Sequence, residues 1–408
     1  MNILGIMVIL GVAWSFSKKR SAVNFKLVVQ GLLLQFVLAF VALKTSVGKS
    51  VIGVIADGVS SLYGFAQAGV SFVFGGVGDG SLGVIFAFQV LPIIVFFGAF
   101  MALLFHIGIV QWVVKGISAV VRPLLGTSGS ETLCAISNSF LGQTEAPLLV
   151  KNYLASMTKS EMLVVMVSGM ATISGSILVV FASMGVPTEH LLSASVMAIP
   201  GSLIIAKMLY PETERSKTAK DADVTFESSA GNVLEAISQG TTDGMYLALN
   251  VGAMLISFIA LIALINSLLA LCSDGIGMAY NILGITAAVP TLSLNAIFSY
   301  VFAPFSYLLG FTGDEALQVG ALLGTKLTVN EFVAYGEMLK TTLSARTISI
   351  VTYALCGFSN FSCIGIQIGG IGVLVPSKRS WLSELGLRAL LGGSLSNLLS
   401  AMIASLFI

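Results

Sequence analysis

Long apolar runs separated by short polar breaks dominate the chain. Eight of these runs are long enough to cross a membrane, because a helix needs about 20 apolar residues to span the hydrocarbon core. They lie at residues 2–17, 25–43, 84–106, 161–182, 189–208, 245–270, 346–370 and 384–408. The pattern predicts an all-α polytopic membrane protein with about eight transmembrane helices.

The composition supports this class. Of 408 residues, 56% are hydrophobic and only 10% are charged, whereas soluble domains carry about 25% charged residues. We therefore expect membrane lipid around the chain. The net charge of +1 offers no basic field for nucleic acid, so we expect no nucleic-acid partner.

Basic residues predict the orientation in the membrane. Counted through eight crossings, four groups of them fall on the same face, which the positive-inside rule makes cytoplasmic. The groups are Lys18, Lys19, Arg20 and Lys26; Lys115 and Arg122; Arg215, Lys217 and Lys220; and Lys378 and Arg379. We expect a multi-pass protein of the inner (plasma) membrane with both termini outside.

Three segments do not fit simple crossings. Residues 45–82 are rich in Gly and Ser and predict an interfacial helix and a loop. Residues 211–223 carry mixed charge and predict the hydrophilic loop that joins the two halves. Residues 290–311 are interrupted by Pro290 and Pro304, so we expect an interfacial arm there instead of a ninth crossing.

Two further segments, 116–155 and 312–342, each have short apolar runs on both sides of a polar tip that contains a glutamate, Glu145 or Glu331. The runs are too short to span twice, which is typical of re-entrant helical hairpins. Three full crossings separate the hairpins, so they should enter from opposite faces. Inverted repeats whose interrupted helices meet near the midplane are common in secondary transporters.

Each glutamate is followed at the same distance by a polar break in an apolar run. Ser174 is 29 residues after Glu145, and Asn360 is 29 residues after Glu331. Small polar residues in membrane helices more often permit close packing than bind a ligand. The matched spacing in both halves favours binding instead, since a carboxylate at membrane depth is costly and usually faces a cavity, a partner or a substrate.

Three motifs lie at these positions: GQTEAP at 142–147, GTKLTVNEFVAY at 324–335 and ALCGFSN at 354–360. Together they resemble the bacterial branch of the concentrative nucleoside transporter family, and the similarity runs along nearly the whole chain. The resemblance implies a symporter that is not an enzyme, imports nucleosides such as uridine on a cation gradient, forms a homotrimer and works by an elevator-like movement.

The resemblance also implies a division of the chain. Residues 1–115 would form scaffold helices 1–3 with an interfacial segment, and 244–311 scaffold helix 6 with the arm. Residues 116–210 and 312–408 would be the two repeats of the transport domain, each with a hairpin and two helices. Residues 211–243 would be a cytoplasmic loop and an interfacial helix.

The family's substrate site maps onto nine residues of this chain. The nucleobase would meet Gln143, Thr144, Glu145, Ile177 and Leu249, and the ribose would meet Glu331, Phe358, Asn360 and Cys363. A carboxylate can accept hydrogen bonds from two ribose hydroxyls. Gln and Glu together can pair with the hydrogen-bond donors and acceptors on the edge of a base. Cys363 stands where the family pattern has Ser, and a thiol is a poorer hydrogen-bond partner.

The family's sodium site maps onto Asn138, Leu141, Thr144, Thr172 and Ile173. Carbonyls and hydroxyls provide the oxygen ligands that sodium prefers, and Thr172 keeps the hydroxyl of the Ser expected there. Beyond the coupling ion we expect no cofactor. A proton carried by Glu145 or Glu331 is the alternative to sodium.

A membrane hydrolase and a channel are the two other functional classes for such a chain. A membrane hydrolase would need a nucleophile with a base or a metal cluster, and the isolated His106 and His190 provide neither. A channel is the other alternative, since re-entrant segments also build filters.

Lys326 either neutralises a carboxylate or a carbonyl end inside its hairpin, or extends to the outer surface.

Overall fold

The computed structural model describes residues 2–78, 85–214, 216, 230–283 and 291–408, and every regular element in these ranges is helical. The helices of the first half are α1 Asn2–Ser15, α2 Phe25–Lys44, α3 Ser46–Phe74, α4 Phe86–Gln89, α5 Leu91–His106, α6 Ile109–Leu125, α7 Gly129–Ser137, α8 Lys151–Leu154, α9 Lys159–Ala171, α10 Gly175–Ser183 and α11 Thr188–Leu209. Those of the second half are α12 Val233–Ile282, α13 Leu294–Leu308, α14 Gly313–Thr328, α15 Glu331–Lys340, α16 Ala345–Leu355, α17 Phe361–Leu374 and α18 Arg379–Ala404.

This confirms the predicted all-α membrane architecture. Seven helices in the described ranges are long and apolar enough to cross a membrane. Three predicted crossings have a different form. The run 2–17 gives the 14-residue α1. The runs 161–182 and 346–370 each give two shorter helices with a non-helical break between them, α9 with α10 and α16 with α17.

The segment after α2 contains the predicted helix. Residues 46–74 form one 29-residue helix, α3, followed by the 3₁₀ turn Gly75–Val77, and residues 79–82 lie outside the described ranges, so the predicted loop stays a prediction. Thr45 starts the helix by accepting a hydrogen bond from the amide of Gly48 at 3.0 Å, and the glycines and serines along it do not interrupt it. The interfacial position predicted for this helix stays a prediction, because its length also suits a crossing.

The first hairpin is shorter than predicted. Residues 116–125 belong to α6, which ends at Gly126 in the left-handed conformation with φ +65°. The hairpin proper, called hairpin 1 below, begins where Glu131 accepts from the amide of Ser128 at 2.8 Å. It contains α7, the tip 138–145 and a return through the 3₁₀ turn Ala146–Val150 to α8.

The second hairpin, hairpin 2, matches the prediction and consists of α14 and α15. Asn330 accepts from the amide of Val333 at 2.9 Å and thereby starts α15 directly after the tip. The predicted arm 290–311 contains α13, which meets α14 at an angle of 110°. The chain turns there through Gly310, whose φ is +94°. Pro304 lies inside α13 without ending it, and Pro290 lies outside the described ranges.

The central loop and the next crossing also differ from the prediction. Instead of an interfacial helix before 244 and a separate crossing at 245–270, residues 233–282 form the single 50-residue helix α12. Small residues let α12 lie close against α5, since a Cβ added at Gly98 would lie 2.5 Å from the carbonyl oxygen of Gly240. Arg215, Lys217 and Lys220, which the predicted orientation used, lie outside the described ranges.

The buried centre of the molecule consists of α9, α11, α16 and α18. Every residue of α9 after Lys159 is buried. In contrast, α12 exposes many large apolar side chains, including Ile256 and Leu271. An exposed apolar surface of this size suits lipid or another membrane helix, so α12 lies at the periphery while the broken helices lie at the centre.

Candidate functional site

Two interrupted helices form the centre of the site. α9 and α10 are separated by residues 172–174, and α16 and α17 by residues 356–360. Ser174 accepts from the amide of Ile177 at 3.4 Å and caps α10, while Asn360 accepts from the amide of Cys363 at 3.0 Å and caps α17. The 29-residue spacing therefore leads, in both halves, from the tip glutamate to the residue that restarts a broken helix.

The two breaks lie side by side. The amide of Phe358 donates to the carbonyl of Thr172 at 3.3 Å. The side-chain amide of Asn397, on α18, donates to the carbonyls of Ala171 at 2.7 Å and Cys356 at 2.8 Å. These carbonyls belong to the last turns before the two breaks, where helical partners are missing. One asparagine therefore satisfies both helix ends.

Lys326 completes this arrangement from hairpin 2. Its ammonium donates to the carbonyl of Ala354 at 2.8 Å and to Oδ1 of Asn397 at 2.7 Å, and the residue is only 4% exposed. The extension to the surface is therefore wrong, and Lys326 does bind a carbonyl end, but that end belongs to α16 and not, as predicted, to its own hairpin. The cation lies at the C-terminal end of α16, where the helix dipole favours positive charge.

The tip of hairpin 1 lies against the first break. The amide of Gly175 donates to the carbonyl of Phe140 at 3.0 Å, and Nδ2 of Asn138 donates to the hydroxyl of Ser168 at 2.9 Å. Oδ1 of Asn138 is buried and has no hydrogen-bond partner among the described residues. A buried oxygen of this kind is costly unless it finds a donor, a water or a cation.

The predicted sodium ligands belong to the two segments that meet at this junction. Asn138, Leu141, Thr172 and Ile173 are all buried. Among the described residues, no backbone amide donates to the carbonyl of Leu141 or of Ile173. The Thr172 hydroxyl donates to the carbonyl of Ser168 at 2.8 Å, so its lone pairs remain available. These uncommitted oxygens fit a hard cation.

The proposed ribose ligands are joined across hairpin 2 and the second break. Nδ2 of Asn360 donates to a carboxylate oxygen of Glu331 at 3.1 Å. Gln143, from the tip of hairpin 1, donates through Nε2 to the sulfur of Cys363 at 3.2 Å. These four side chains are buried, and they bring the tips of both hairpins to the start of α17. The residues predicted for base and sugar are therefore neighbours.

Other predicted residues lie around this group. Ile177 is buried at the start of α10, and Phe358 is half-buried in the second break. Thr144 lies against α17, since a Cβ added at Gly370 would lie 2.7 Å from the threonine methyl group. Glu145 is exposed and accepts from the amide of Gly142 at 3.2 Å.

Leu249 is the exception. It lies on α12, is 61% exposed and is not part of the hydrophobic core of the described residues. Because α12 packs mainly along α5, the predicted role of Leu249 in covering the base stays a prediction.

Sequence reasoning missed two polar groups. Gln367, on α17, is fully buried and donates to Gln143 at 3.1 Å. Lys207, at the end of α11, forms a buried ion pair with Glu131 at the base of hairpin 1, with 2.7 Å between nitrogen and oxygen. In each case the available signal was a single polar residue inside an apolar run, which does not identify its partner.

The chain matches three family models in sequence order. Residues 4–77 match the N-terminal part of the Na+ dependent nucleoside transporters, residues 87–188 a nucleoside recognition domain called Gate, and residues 190–405 the C-terminal part of the same transporters.

Relatives match over the whole chain. An uncharacterized transporter of Haemophilus influenzae is 44% identical over 100% of this chain and 97% of its own length. The nucleoside permease NupC of Helicobacter pylori is 38% identical, with 100% of this chain and 97% of the relative covered. Sodium/nucleoside cotransporter 1 of Rattus norvegicus is 39% identical over 98% of this chain, which spans 63% of the rat protein.

Solved structures agree with these relatives. CNTnw in an inward-facing, substrate-bound state has a TM-score of 0.91 and 38% identity, with 100% of this chain and 98% of that chain covered. A CNTnw variant in an outward-facing state has a TM-score of 0.92 at 38% identity, with 100% and 97% covered. With its motifs, its three matched models and its full-length relatives in agreement, the chain belongs to the concentrative nucleoside transporter family.

Proposed function

We propose that this protein is a secondary active symporter that imports nucleosides across the inner (plasma) membrane, driven by a cation gradient. The proposal rests on one observation: both hairpin tips meet in one buried polar group. The group consists of Gln143, Cys363, Asn360 and Glu331. Ionisable residues at membrane depth are costly and usually mark a substrate or ion pathway. The named relatives include a nucleoside permease and a sodium/nucleoside cotransporter, which supports nucleosides as the substrate.

Substrate binding follows from the chemistry of these side chains. Glu331 would accept from the ribose hydroxyls, and Asn360 would hold the carboxylate in place through their 3.1 Å hydrogen bond. Gln143, Thr144 and Glu145 would meet the base edge. Bases and sugars carry many polar groups, so desolvation is costly unless each group finds a partner. A buried site with paired donors and acceptors meets this requirement.

Sodium is the coupling ion that the site supports best. Oδ1 of Asn138 is buried without a partner among the described residues, and Thr172 offers its lone pairs nearby. A sodium ion at this junction would fasten the tip of hairpin 1 to the first break. Because Thr144 belongs to both the ion set and the substrate set, ion binding would order the substrate site before the nucleoside arrives. A proton on Glu145 or Glu331 is the alternative.

The transport cycle that we propose is an elevator-like movement in a homotrimer, with both termini outside. The scaffold would comprise 1–115 and 244–311, and the moving domain 116–210 and 312–408. The exposed apolar surface of α12 supports a lipid or subunit contact on the scaffold side. The solved relatives in inward-facing and outward-facing states support alternating access.

A channel remains the second candidate for a chain with re-entrant hairpins. The unlike tips argue against it, because hairpin 1 places Gln143 and Glu145 where hairpin 2 places Glu331, and a pore filter is usually a ring of like groups. A carrier also needs a saturable binding site, and the buried polar group would provide it.

Uptake into proteoliposomes tests the proposal. Radiolabelled uridine and adenosine would be supplied with a sodium gradient alone, a proton gradient alone or neither. We expect saturable, concentrative uptake with sodium alone. Concentrative uptake with protons alone would change the ion, and unsaturable uptake without any gradient would support a channel. Failure of the purified protein to bind or move any nucleoside would overturn the proposal.

A further inference from the structure

Gln367 makes two hydrogen bonds that the proposed substrate site does not explain. It lies on α17, four residues after Cys363, and is fully buried. Its Nε2 donates to the carbonyl of Met166 at 2.9 Å and to Oε1 of Gln143 at 3.1 Å. An amide nitrogen carries two hydrogens, so both are committed.

The orientation of this amide is fixed by its surroundings. The carbonyl of Met166 can only accept, so the nitrogen of Gln367 must face it, and its second hydrogen then faces Gln143. Gln143 must in turn present its oxygen to Gln367. Its nitrogen consequently faces Cys363, 3.2 Å away. A rotated Gln143 would bring two NH₂ groups together without an acceptor between them.

The backbone beside this pair is shaped to admit it. A Cβ added at Gly169, on α9, would lie 2.8 Å from Nε2 of Gln367 and 2.9 Å from Cβ of Gln143. Contacts below 3 Å are too close for side-chain carbons. A larger residue at position 169 would therefore displace one or both glutamines, and the glycine leaves them in contact.

We propose that Gln367 is a positioning residue that fixes the amide of Gln143 with its nitrogen toward Cys363, so that one N–H meets the thiol and the other meets the base. The transporter would then select nucleosides whose base presents a hydrogen-bond acceptor to this second N–H. Uridine and inosine offer a carbonyl oxygen where cytidine and adenosine carry an exocyclic amine. The amine would meet the Gln143 donor with another donor. The inference rests on the proposed function and names the class of base that the same site prefers.

Calorimetry on the purified, sodium-loaded protein tests it with uridine against cytidine and inosine against adenosine. Gln367→Met removes the amide at similar size, and Gln367→Asn shortens it so that it cannot reach both partners. In each variant the Gln143 amide becomes free to rotate. We expect the uridine-to-cytidine and inosine-to-adenosine affinity ratios to fall about threefold to tenfold, the range for one hydrogen bond.

Gln35 offers a matched control. It is a buried glutamine on α2 whose Nε2 donates to the carbonyl of Met197 at 3.0 Å and to the Ser400 hydroxyl at 3.1 Å. Gln35→Met should leave both ratios unchanged. In a Gln143→Ala background, Gln367→Met should cause no further change in either ratio, because its effect passes through Gln143.

The outcomes separate this inference from the proposed function. A parent protein that binds no nucleoside would overturn the function itself. A parent that binds nucleosides, with unchanged ratios in a folded Gln367→Met protein, would overturn only the role of Gln367. A further loss of selectivity in the Gln143→Ala background, or loss of the folded protein in both Gln367 variants, would likewise contradict it and assign the residue to another contact or to stability.

Discussion

The ammonium nitrogen of Lys326 lies 2.7 Å from Oδ1 of Asn397. The two residues are 71 positions apart, and between them they bind the carbonyl ends of both broken helices. Asn397 donates to the carbonyls of Ala171 and Cys356, and Lys326 donates to the carbonyl of Ala354. A buried charge and its amide partner thus hold the two breaks, and with them the proposed ion and substrate sites, in one fixed arrangement.

Replacing this cation should destabilise the fold. Lys326→Met leaves the carbonyl of Ala354 without the ammonium, while Oδ1 of Asn397 keeps only its 3.2 Å hydrogen bond from the Ser359 hydroxyl. An unsatisfied buried group costs about 1–3 kcal/mol. We expect a clear fall in the melting temperature of the purified protein and a loss of transport. Lys340→Met, at an exposed position on α15, is the control and should melt like the parent. Equal melting of the two variants would contradict the assigned role.

The proposed ribose contact predicts the effect of Glu331→Gln. A glutamine can still accept from Asn360, so the protein should stay folded, but it accepts more weakly from ribose hydroxyls than a carboxylate does. Hydrogen bonds to charged groups contribute about 1.5–3 kcal/mol, so uridine affinity should fall at least about tenfold in calorimetry.

A control for this change lies on the same helix. Glu337, on α15, accepts from the Thr325 hydroxyl at 3.1 Å and is outside the proposed site, so Glu337→Gln should bind uridine as the parent does. If Glu331→Gln bound uridine with parental affinity, the ribose assignment would be wrong.

The proposed sodium site predicts that Thr172→Val raises the sodium concentration needed for half-maximal uptake more than it lowers saturated uptake. The change removes one oxygen ligand and keeps the shape of the side chain. Sodium titration of uridine uptake measures the shift.

Thr352→Val is the matched control. The Thr352 hydroxyl also donates to the carbonyl four residues earlier, that of Ile348, at 2.7 Å, but Thr352 lies in α16 and not in the first break, where the sodium site is proposed. Its sodium curve should stay in place. An unmoved curve in Thr172→Val would remove this residue from the ion site and favour coupling to protons.

The sequence predicted those parts of the site that disturb an apolar run. Glu331, Asn360 and Ser174 are polar positions at a matched spacing, and the structure places two of them as helix caps. The partners could not be predicted, because contacts such as Gln143 with Gln367, 224 residues apart, depend on how the helices pack. The start of hairpin 1 was misplaced for a related reason. The apolar residues of α6 continue the pattern up to Gly126, whose backbone turn ends the helix.

The unusual residue of the pocket gives the last prediction. Cys363 receives a hydrogen bond from Gln143 and is 3% exposed, so a membrane-permeant thiol reagent should reach it only when the hairpin tips separate. In a variant with the other three cysteines, Cys134, Cys272 and Cys356, replaced, we expect the reagent to inhibit transport and bound nucleoside to slow the labelling. Cys363→Ser should tighten ribonucleosides more than deoxynucleosides, since a hydroxyl makes the stronger bond, with a net contribution of about 0.5–1.5 kcal/mol. Equal effects on both sugars, together with labelling that is indifferent to substrate, would show that the thiol faces away from the ribose.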